Sequence, residues 1–290
     1  MEQNPVPGHE ALVPPDADIA RRYLDEAQAV AVRRDRAVDR RALAWLQIAN
    51  AVVGAVFLTA FAWILRDAGT FVPQVVLFAF LVWSQLASGM AQRNGMQWRM
   101  SRARWPIVVL GAVLLIVALV IFWFAIWDER LPPIAMLTPG ILMLVGLGGY
   151  GVFQLYRASH DPRPPRPIRA PLSRGIRWGT ILVGVAFGVL ILLAGAPEGV
   201  VTSILMLLVV LLLLAWILAA RTELGLPAIG AVWRWPHVLA FAVAAAVLLA
   251  FIGIRAGGVG ADLSVTAFAG AGVVALLVAV SFVPGRDPRD

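Results

Sequence analysis

Long apolar runs alternate with short arginine-rich segments along most of the chain. Each run has close to the roughly 20 residues that an α-helix needs to cross about 30 Å of hydrocarbon. Inside a bilayer every backbone amide and carbonyl must be paired, so these runs are predicted to be helices. The eight predicted spans are 43–65, 71–90, 106–127, 134–156, 178–195, 199–220, 237–254 and 264–283. The pattern therefore predicts an all-α integral membrane protein with eight transmembrane helices.

The arginines assign an orientation to these spans. All 24 basic residues are arginine, and 21 of them lie on one side of the membrane if eight spans are counted. Only Arg66, Arg130 and Arg255 lie on the other side. Because basic residues are enriched in cytoplasmic loops, both termini are expected in the cytoplasm. Removing or adding one span would scatter the arginines over both sides, so the charges support the count of eight independently.

Composition supports a membrane protein and narrows its chemistry. Of the 290 residues, 60% are hydrophobic and 14% are charged, whereas a soluble domain has about 25% charged residues. The sequence contains no cysteine and no lysine, which excludes disulfides, cysteine metal sites and a lysine Schiff base. Exclusive use of arginine is typical of GC-rich bacterial genomes, so we expect a bacterial cytoplasmic (plasma) membrane.

The two halves of the chain resemble each other. A shift of 130 residues places all four spans of the first half on the four of the second, with Gly54 on Gly184 and Gly140 on Gly270. Two Arg-Trp-Pro triplets also coincide, as expected for a headgroup arginine, an interfacial tryptophan and a proline in the first helical turn. These predicted interfacial anchors are Arg104, Trp105 and Pro106, and Arg234, Trp235 and Pro236. Two parallel four-helix repeats are predicted, although two spans entering from the cytoplasm could also acquire the same triplet independently.

Six segments are predicted along the chain. They are a disordered cytoplasmic N-terminus (1–17), a cytoplasmic or juxtamembrane helix (18–42), the first four-helix half (43–156), a Pro/Arg-rich cytoplasmic linker (157–177), the second half (178–283) and a cytoplasmic tail (284–290). No glycine or proline interrupts 18–53, so the helix is expected to continue into the first span. That helix either lies at the surface or binds a partner. The linker is either an extended spacer or a docking site for a protein or an anionic lipid.

Charged side chains are confined to the ends of the predicted spans. Ionisable residues inside a membrane normally mark proton or ion pathways, so their absence argues against an ion-coupled carrier. The sequence also lacks paired-aspartate, Gly-x-Ser and His-Glu-x-x-His motifs, and His9, His160 and His237 have no metal-ligand spacing. We predict no enzyme activity, no catalytic residue, no metal, no cofactor and no nucleic-acid partner.

The first half carries uncharged polar residues within its spans. Gln47 and Asn50 are three residues apart in the first span, and three polar residues share a face of the second. If these spans pack as a hairpin, most of these side chains approach one another. They form either interhelical hydrogen bonds or a polar binding site for a lipid headgroup or small amphiphile. The predicted intramembrane polar cluster is Gln47, Asn50, Gln74, Gln85 and Ser88.

Glycines are concentrated in the fourth span. Residues 146–151 match the spacing GxGxxG, but no strand or βαβ unit accompanies it, so a dinucleotide site is not expected. Glycine in a span lets another backbone approach closely, and a flexible gating point is the alternative interpretation. The predicted helix-packing residues are Gly140, Gly146, Gly148, Gly149 and Gly151.

Two functional hypotheses follow from these features. The first is a transport-related protein, either a permease-like component or an accessory subunit, for an apolar or amphiphilic substrate. The second is a non-catalytic membrane scaffold or regulatory protein that binds partners through its N-terminal helix and linker. Expected partners are the lipid bilayer, anionic lipid headgroups at the cytoplasmic face, and either another protein or further copies of the chain.

Overall fold

A computed structural model describes most of the chain. The described residues are 17–36, 38–67, 72–96, 105–127, 133–161, 168–196, 199–257 and 262–287. They divide into two units, residues 1–39 and 40–290. The predicted disordered segment 1–17 lies outside the described residues except for its last residue, which begins a helix.

The first half is built from helices with one irregular span. The N-terminal helix α1 covers Ala17–Arg36, followed by α2 (Arg40–Asp67), α3 (Val72–Arg93) and α4 (Trp105–Trp127). The next span is divided into a 3₁₀-helix (Pro133–Leu137), α5 (Thr138–Met143), a π-helix (Leu144–Gly148) and α6 (Gly149–Ala158). We call this composite helix the broken span.

The second half contains four long helices, one short helix and a small strand pair. Its helices are α7 (Arg174–Gly195), α8 (Val200–Leu218), α9 (Leu226–Val232), α10 (Trp235–Ala256) and α11 (Leu263–Val280). Strand β1 (Arg169–Ala170) lies in the linker and pairs antiparallel with β2 (Gly285–Arg286) in the tail. The predicted linker and tail are therefore hydrogen-bonded to each other.

Within the described residues, seven helices are long and apolar enough to cross a membrane. They are Arg40–Ile64, Gln74–Arg93, Ile134–Ala158, Arg174–Gly195, Val200–Leu218, Trp235–Arg255 and Leu263–Val280. The prediction of an all-α, multi-pass membrane protein is confirmed at this level. The remaining predicted span coincides with α4, a helix of 23 residues whose fully described apolar stretch, Gly111–Ile121, is shorter. The count of eight stays a prediction.

The N-terminal helix does not continue into the first span. Helix α1 ends at Arg36, Val38 and Asp39 are not helical, and α2 begins at Arg40. The expectation of one continuous helix was therefore wrong. Asp39 directly precedes Arg40, and aspartate is disfavoured inside a helix but favoured immediately before one.

Glycine brings α2 into backbone contact with α5, and α7 into backbone contact with α11. A Cβ atom added at Gly140 of α5 would lie 2.9 Å from the carbonyl oxygen of Ala55 on α2. In the second half, a Cβ at Gly270 of α11 would lie 2.7 Å from the carbonyl oxygen of Gly188 on α7. Small residues promote such crossings in lipid, where dispersion and close packing replace the hydrophobic effect between helices.

The short helix α9 joins the two halves. A Cβ at Gly89 of α3 would overlap the carbonyl of Pro227, and a Cβ at Gly230 of α9 would overlap the carbonyl of Leu86. Arg93, at the end of α3, donates through Nη1 to the carbonyl oxygen of Ala231 at 3.0 Å. Helix α3 is thus fixed to α9 by backbone contact and by a charged hydrogen bond.

Buried aromatic rings fill the space between α3, α7 and α10. The ring of Phe241 lies 5.6 Å from that of Trp83 and 5.0 Å from that of Phe187. Trp233 is also fully buried, and its indole Nε1 donates to Thr180 Oγ at 3.1 Å. The buried indole N–H of Trp233 is therefore paired with a neutral hydroxyl.

Arginines also cap the ends of helices. Arg41 donates through Nε to the carbonyl of Ala158, at the end of α6, at 2.8 Å. Arg255 donates through Nη1 to the carbonyls of Ala194 and Ala196, at the end of α7, at 3.0 and 3.1 Å. A guanidinium group stabilises the unpaired carbonyls and the negative end of the helix dipole.

The contact between α3 and α9 predicts a large penalty for a single methyl group. Gly230→Ala should lower the free energy of unfolding by about 1–3 kcal/mol, because the new Cβ overlaps a backbone carbonyl. Gly272→Ala is the matched control, since a Cβ there meets no atom within 4 Å; it should be neutral or stabilising by up to about 1 kcal/mol. Thermal unfolding in detergent measures both, and equal melting temperatures would contradict the contact.

Candidate functional site

A groove lies between α2, the broken span and α10, with a volume of about 700 Å³. This volume lies within the range of about 300–1,000 Å³ that small-molecule sites occupy. Two of its walls come from the first half and one from the second. Its lining includes Thr59, Trp63, Gly140, Leu144, Ile252 and Gly253.

Small residues create the groove. Gly140 brings α5 against α2, so these two walls of the groove are in contact at this glycine. On the facing wall, Gly253 is exposed, and a Cβ added there would meet no atom within 4 Å. Helix α10 therefore leaves open a space that larger side chains would fill.

The groove is apolar. Of the described residues that line it, none carries a charge, and the side chains are aliphatic apart from those of Thr59 and Trp63. The hydroxyl of Thr59 faces Gly140, where an added Cβ would overlap its oxygen. Such a surface suits a hydrocarbon chain and offers no acid–base group for catalysis.

All three walls contribute from the same end of the bundle. On α2 the lining residues begin at Ala55, in its C-terminal half, and on α10 they begin at Leu249, near its C-terminus. The opposite ends of these helices carry Arg41 and Arg234. We call the end that holds the groove the arginine-poor end.

The π-helix of the broken span begins at the groove wall. Leu144 is both its first residue and a lining residue. Such π-turns are rare in α-helices and are frequently found at functional sites. Sequence reasoning identified this glycine-rich segment as a packing region but did not predict its π-helical form.

The predicted polar cluster is distributed among several contacts. Trp83 Nε1 donates to Asn50 Oδ1 at 3.0 Å, and Gln92 Nε2 donates to Ser88 Oγ at 3.2 Å. Gln47 lies beside α6, where a Cβ added at Gly151 would be 3.3 Å from its Cγ. Gln85 is half-buried and Gln74 is exposed. Among the described residues, no hydrogen bond joins one predicted member to another.

The predicted packing glycines contact different neighbours. Gly146 faces Leu114 of α4, Gly148 faces Ala51 of α2 at 3.5 Å from an added Cβ, and Gly149 has open space around it. Together with Gly140 and Gly151, four of the five therefore lie against another helix. Their role in gating stays a prediction.

The predicted interfacial anchors lie at the N-terminal ends of two helices. Arg104 lies outside the described residues, and Trp105 and Pro106 begin α4. Arg234 stands at the N-cap of α10, with the 70% exposed Trp235 and Pro236 in its first turn. Next in sequence, His237 is fully buried and its ring stacks on Trp233 at 5.9 Å. It belongs to the aromatic core between the halves.

Comparison with protein-family models, curated proteins and solved structures finds no match to this chain. The groove and the packing around it are therefore the features of this protein that bear on function. The groove was missed at the sequence level because its walls are ordinary aliphatic residues, and its clearest sequence signal is the pair of glycines at 253 and 257 near the end of α10.

The hydrogen bond between Asn50 and Trp83 predicts unequal effects of removing amides. Asn50→Leu leaves the indole N–H of Trp83, which is 4% exposed, without its acceptor. It should lower the free energy of unfolding by about 0.6–2 kcal/mol. Gln85→Leu is the control and should change it less. Thermal unfolding in detergent compares the two, and equal losses would instead favour the predicted cluster acting as one unit.

Proposed function

We propose that this protein binds an apolar or amphiphilic molecule in the groove, as a permease-like component or accessory subunit of a transport system. The observation that carries this proposal is the uncharged groove of about 700 Å³ between helices of the two halves. Transporters built from repeats commonly hold their substrate at the interface of the repeats. A hydrocarbon chain would gain dispersion contacts with the three walls.

Repeated packing supports a duplicated architecture. Gly54 of α2 faces Met143 of the broken span, and Gly184 of α7 faces Leu277 of α11; each added Cβ would lie within 2.8 Å of the partner side chain. Gly140 and Gly270, also 130 residues apart, face α2 and α7 in turn. We propose two parallel four-helix repeats, in which the broken span and the regular α11 make the halves unequal.

An orientation completes the proposal. We propose eight spans that include α4, with both termini and the arginine-rich loops in the cytoplasm of a bacterium. The groove, at the arginine-poor end, would then lie in the outer half of the plasma membrane. Anionic headgroups at the inner face would contact the loops that carry most of the arginines.

Single cysteines test the span count, because the sequence contains no cysteine. Ser264→Cys, at the start of α11, should react with a membrane-impermeant maleimide in intact spheroplasts. Ser159→Cys, at the end of α6, should react only after permeabilisation. Both serines are exposed. If α4 does not cross the membrane, the two labelling patterns will be exchanged.

The second candidate function is a scaffold that acts through α1. Helix α1 belongs to a separate unit, and among its exposed large apolar side chains are Ile19, Tyr23, Leu24 and Val30. A partner helix or a second copy of the chain could cover them. In this case the groove would be a packing feature, and filling it would leave the function unchanged.

Filling the groove tests the transport hypothesis. Gly253→Leu places an aliphatic side chain in open space on the groove wall, so it should compete with a bound chain. We expect at least a tenfold loss of affinity for a saturated phospholipid, since one buried leucine-sized group corresponds to about 1.5–3 kcal/mol. Lipid binding to detergent-solubilised protein is measured by native mass spectrometry.

Gly272→Leu is the matched control for this experiment. It introduces the same side chain at another exposed helical glycine whose added Cβ meets no atom, away from the groove. This variant should bind lipid like the unmodified protein. Equal binding by the unmodified protein and both variants would reject the groove as a binding site and favour the scaffold.

A further inference from the structure

The single aliphatic hydroxyl of the groove has no hydrogen-bond partner in the part of the chain that the structure describes. Thr59 lines the groove and is half-buried. Other hydroxyls in the spans donate to the preceding helical turn: Thr180 to the carbonyl of Ile176 at 2.9 Å, and Ser281 to that of Val278 at 2.7 Å. The hydroxyl of Thr59 therefore lies beside Gly140 at the wall of the groove, without an acceptor among the described residues.

The depth of Thr59 indicates which part of a lipid would meet it. Trp63 follows four residues later on the same helix, about 6 Å nearer the arginine-poor end. Tryptophan side chains favour the headgroup level of a membrane, and Trp63 is 43% exposed. Thr59 thus lies one turn below that level, where the linkage between a lipid headgroup and its hydrocarbon chains is found.

We propose that the groove selects lipids whose chains are joined through an ester, with the Thr59 hydroxyl donating a hydrogen bond to the ester carbonyl. This inference rests on the proposed function and names the substrate class of that site. An ester carbonyl is a good acceptor, whereas the corresponding ether lacks the carbonyl altogether. In an apolar groove, a hydroxyl without an acceptor keeps the cost of its desolvation.

Selection by the linkage fits the charges around the groove. The described lining residues carry none. Arg255 lies near the end of the same wall, but its Nη1 is hydrogen-bonded to the carbonyls that end α7. The described lining residues therefore offer a headgroup no charged partner inside the groove, while Arg255 keeps its positive charge beside it.

Ester- and ether-linked lipids test this inference directly. The full-length protein in detergent is titrated with dipalmitoyl phosphatidylcholine and with its dihexadecyl ether analogue, and binding is followed by native mass spectrometry. The ester should bind about 2- to 12-fold more tightly, the equivalent of one net hydrogen bond. Dipalmitoyl phosphatidylglycerol should show the same preference over its own dihexadecyl ether analogue.

Replacing the hydroxyl should remove this preference. Thr59→Val keeps the shape of the side chain and removes the hydroxyl, so this variant should bind the ester and the ether with equal affinity. Thr59→Ser retains the hydroxyl and should retain the preference. Because the ester–ether comparison in the unmodified protein needs no substitution, the inference remains testable if a variant fails to fold.

The outcomes separate this inference from the function on which it rests. If ester and ether bind equally, but Gly253→Leu abolishes both, the groove binds chains and the role of Thr59 is wrong. If neither lipid binds, the proposed function fails as well. If the protein is a dimer that dissociates on Gly253→Leu, a second copy occupies the groove and both proposals are overturned.

Discussion

Close backbone contact at glycine is the constraint on which this bundle depends. Lipid chains are as apolar as leucine, so helices in a membrane gain little by hiding apolar surface from one another. Dispersion holds the helices together. Because it acts only at short range, the backbones must approach each other without a side chain between them. Gly140, Gly270 and Gly230 supply such points, and each faces a backbone carbonyl of another helix. The remaining helix contacts are arranged around these crossings.

The groove follows from the same constraint. Gly140 draws α5 onto α2, while Gly253 on α10 presents no side chain to the space that remains. Outside the groove, Asn50 accepts from Trp83, and Trp233 donates to Thr180. Thr59 and Trp63 are thus the described lining residues with a polar side-chain group on an otherwise aliphatic surface.

Sequence could predict the spans but not their contacts. Seven apolar runs match spanning helices because length and hydropathy are local properties. The broken span, the docking of α9 and the pairing of Asn50 with Trp83 depend on which helices meet, and apolar periodicity does not specify that. The arginines illustrate the difference: their distribution predicted an orientation, whereas the bonds from Arg41 and Arg255 to helix ends required coordinates. Gln47 and Gln85 were grouped by spacing alone, and spacing does not determine which neighbour each side chain meets.

The bond between Arg93 and Ala231 has a consequence for how the chain is made. Its two partners are 138 residues apart, and helices of a membrane protein are inserted in order from the N-terminus. When α3 enters the bilayer, the carbonyls that its arginine will bind have not yet been synthesised. Gly89 likewise lacks its neighbour until α9 emerges. The contacts between α3 and α9 can therefore form only after residues 226–232 have been synthesised, so the packing around α3 is completed late.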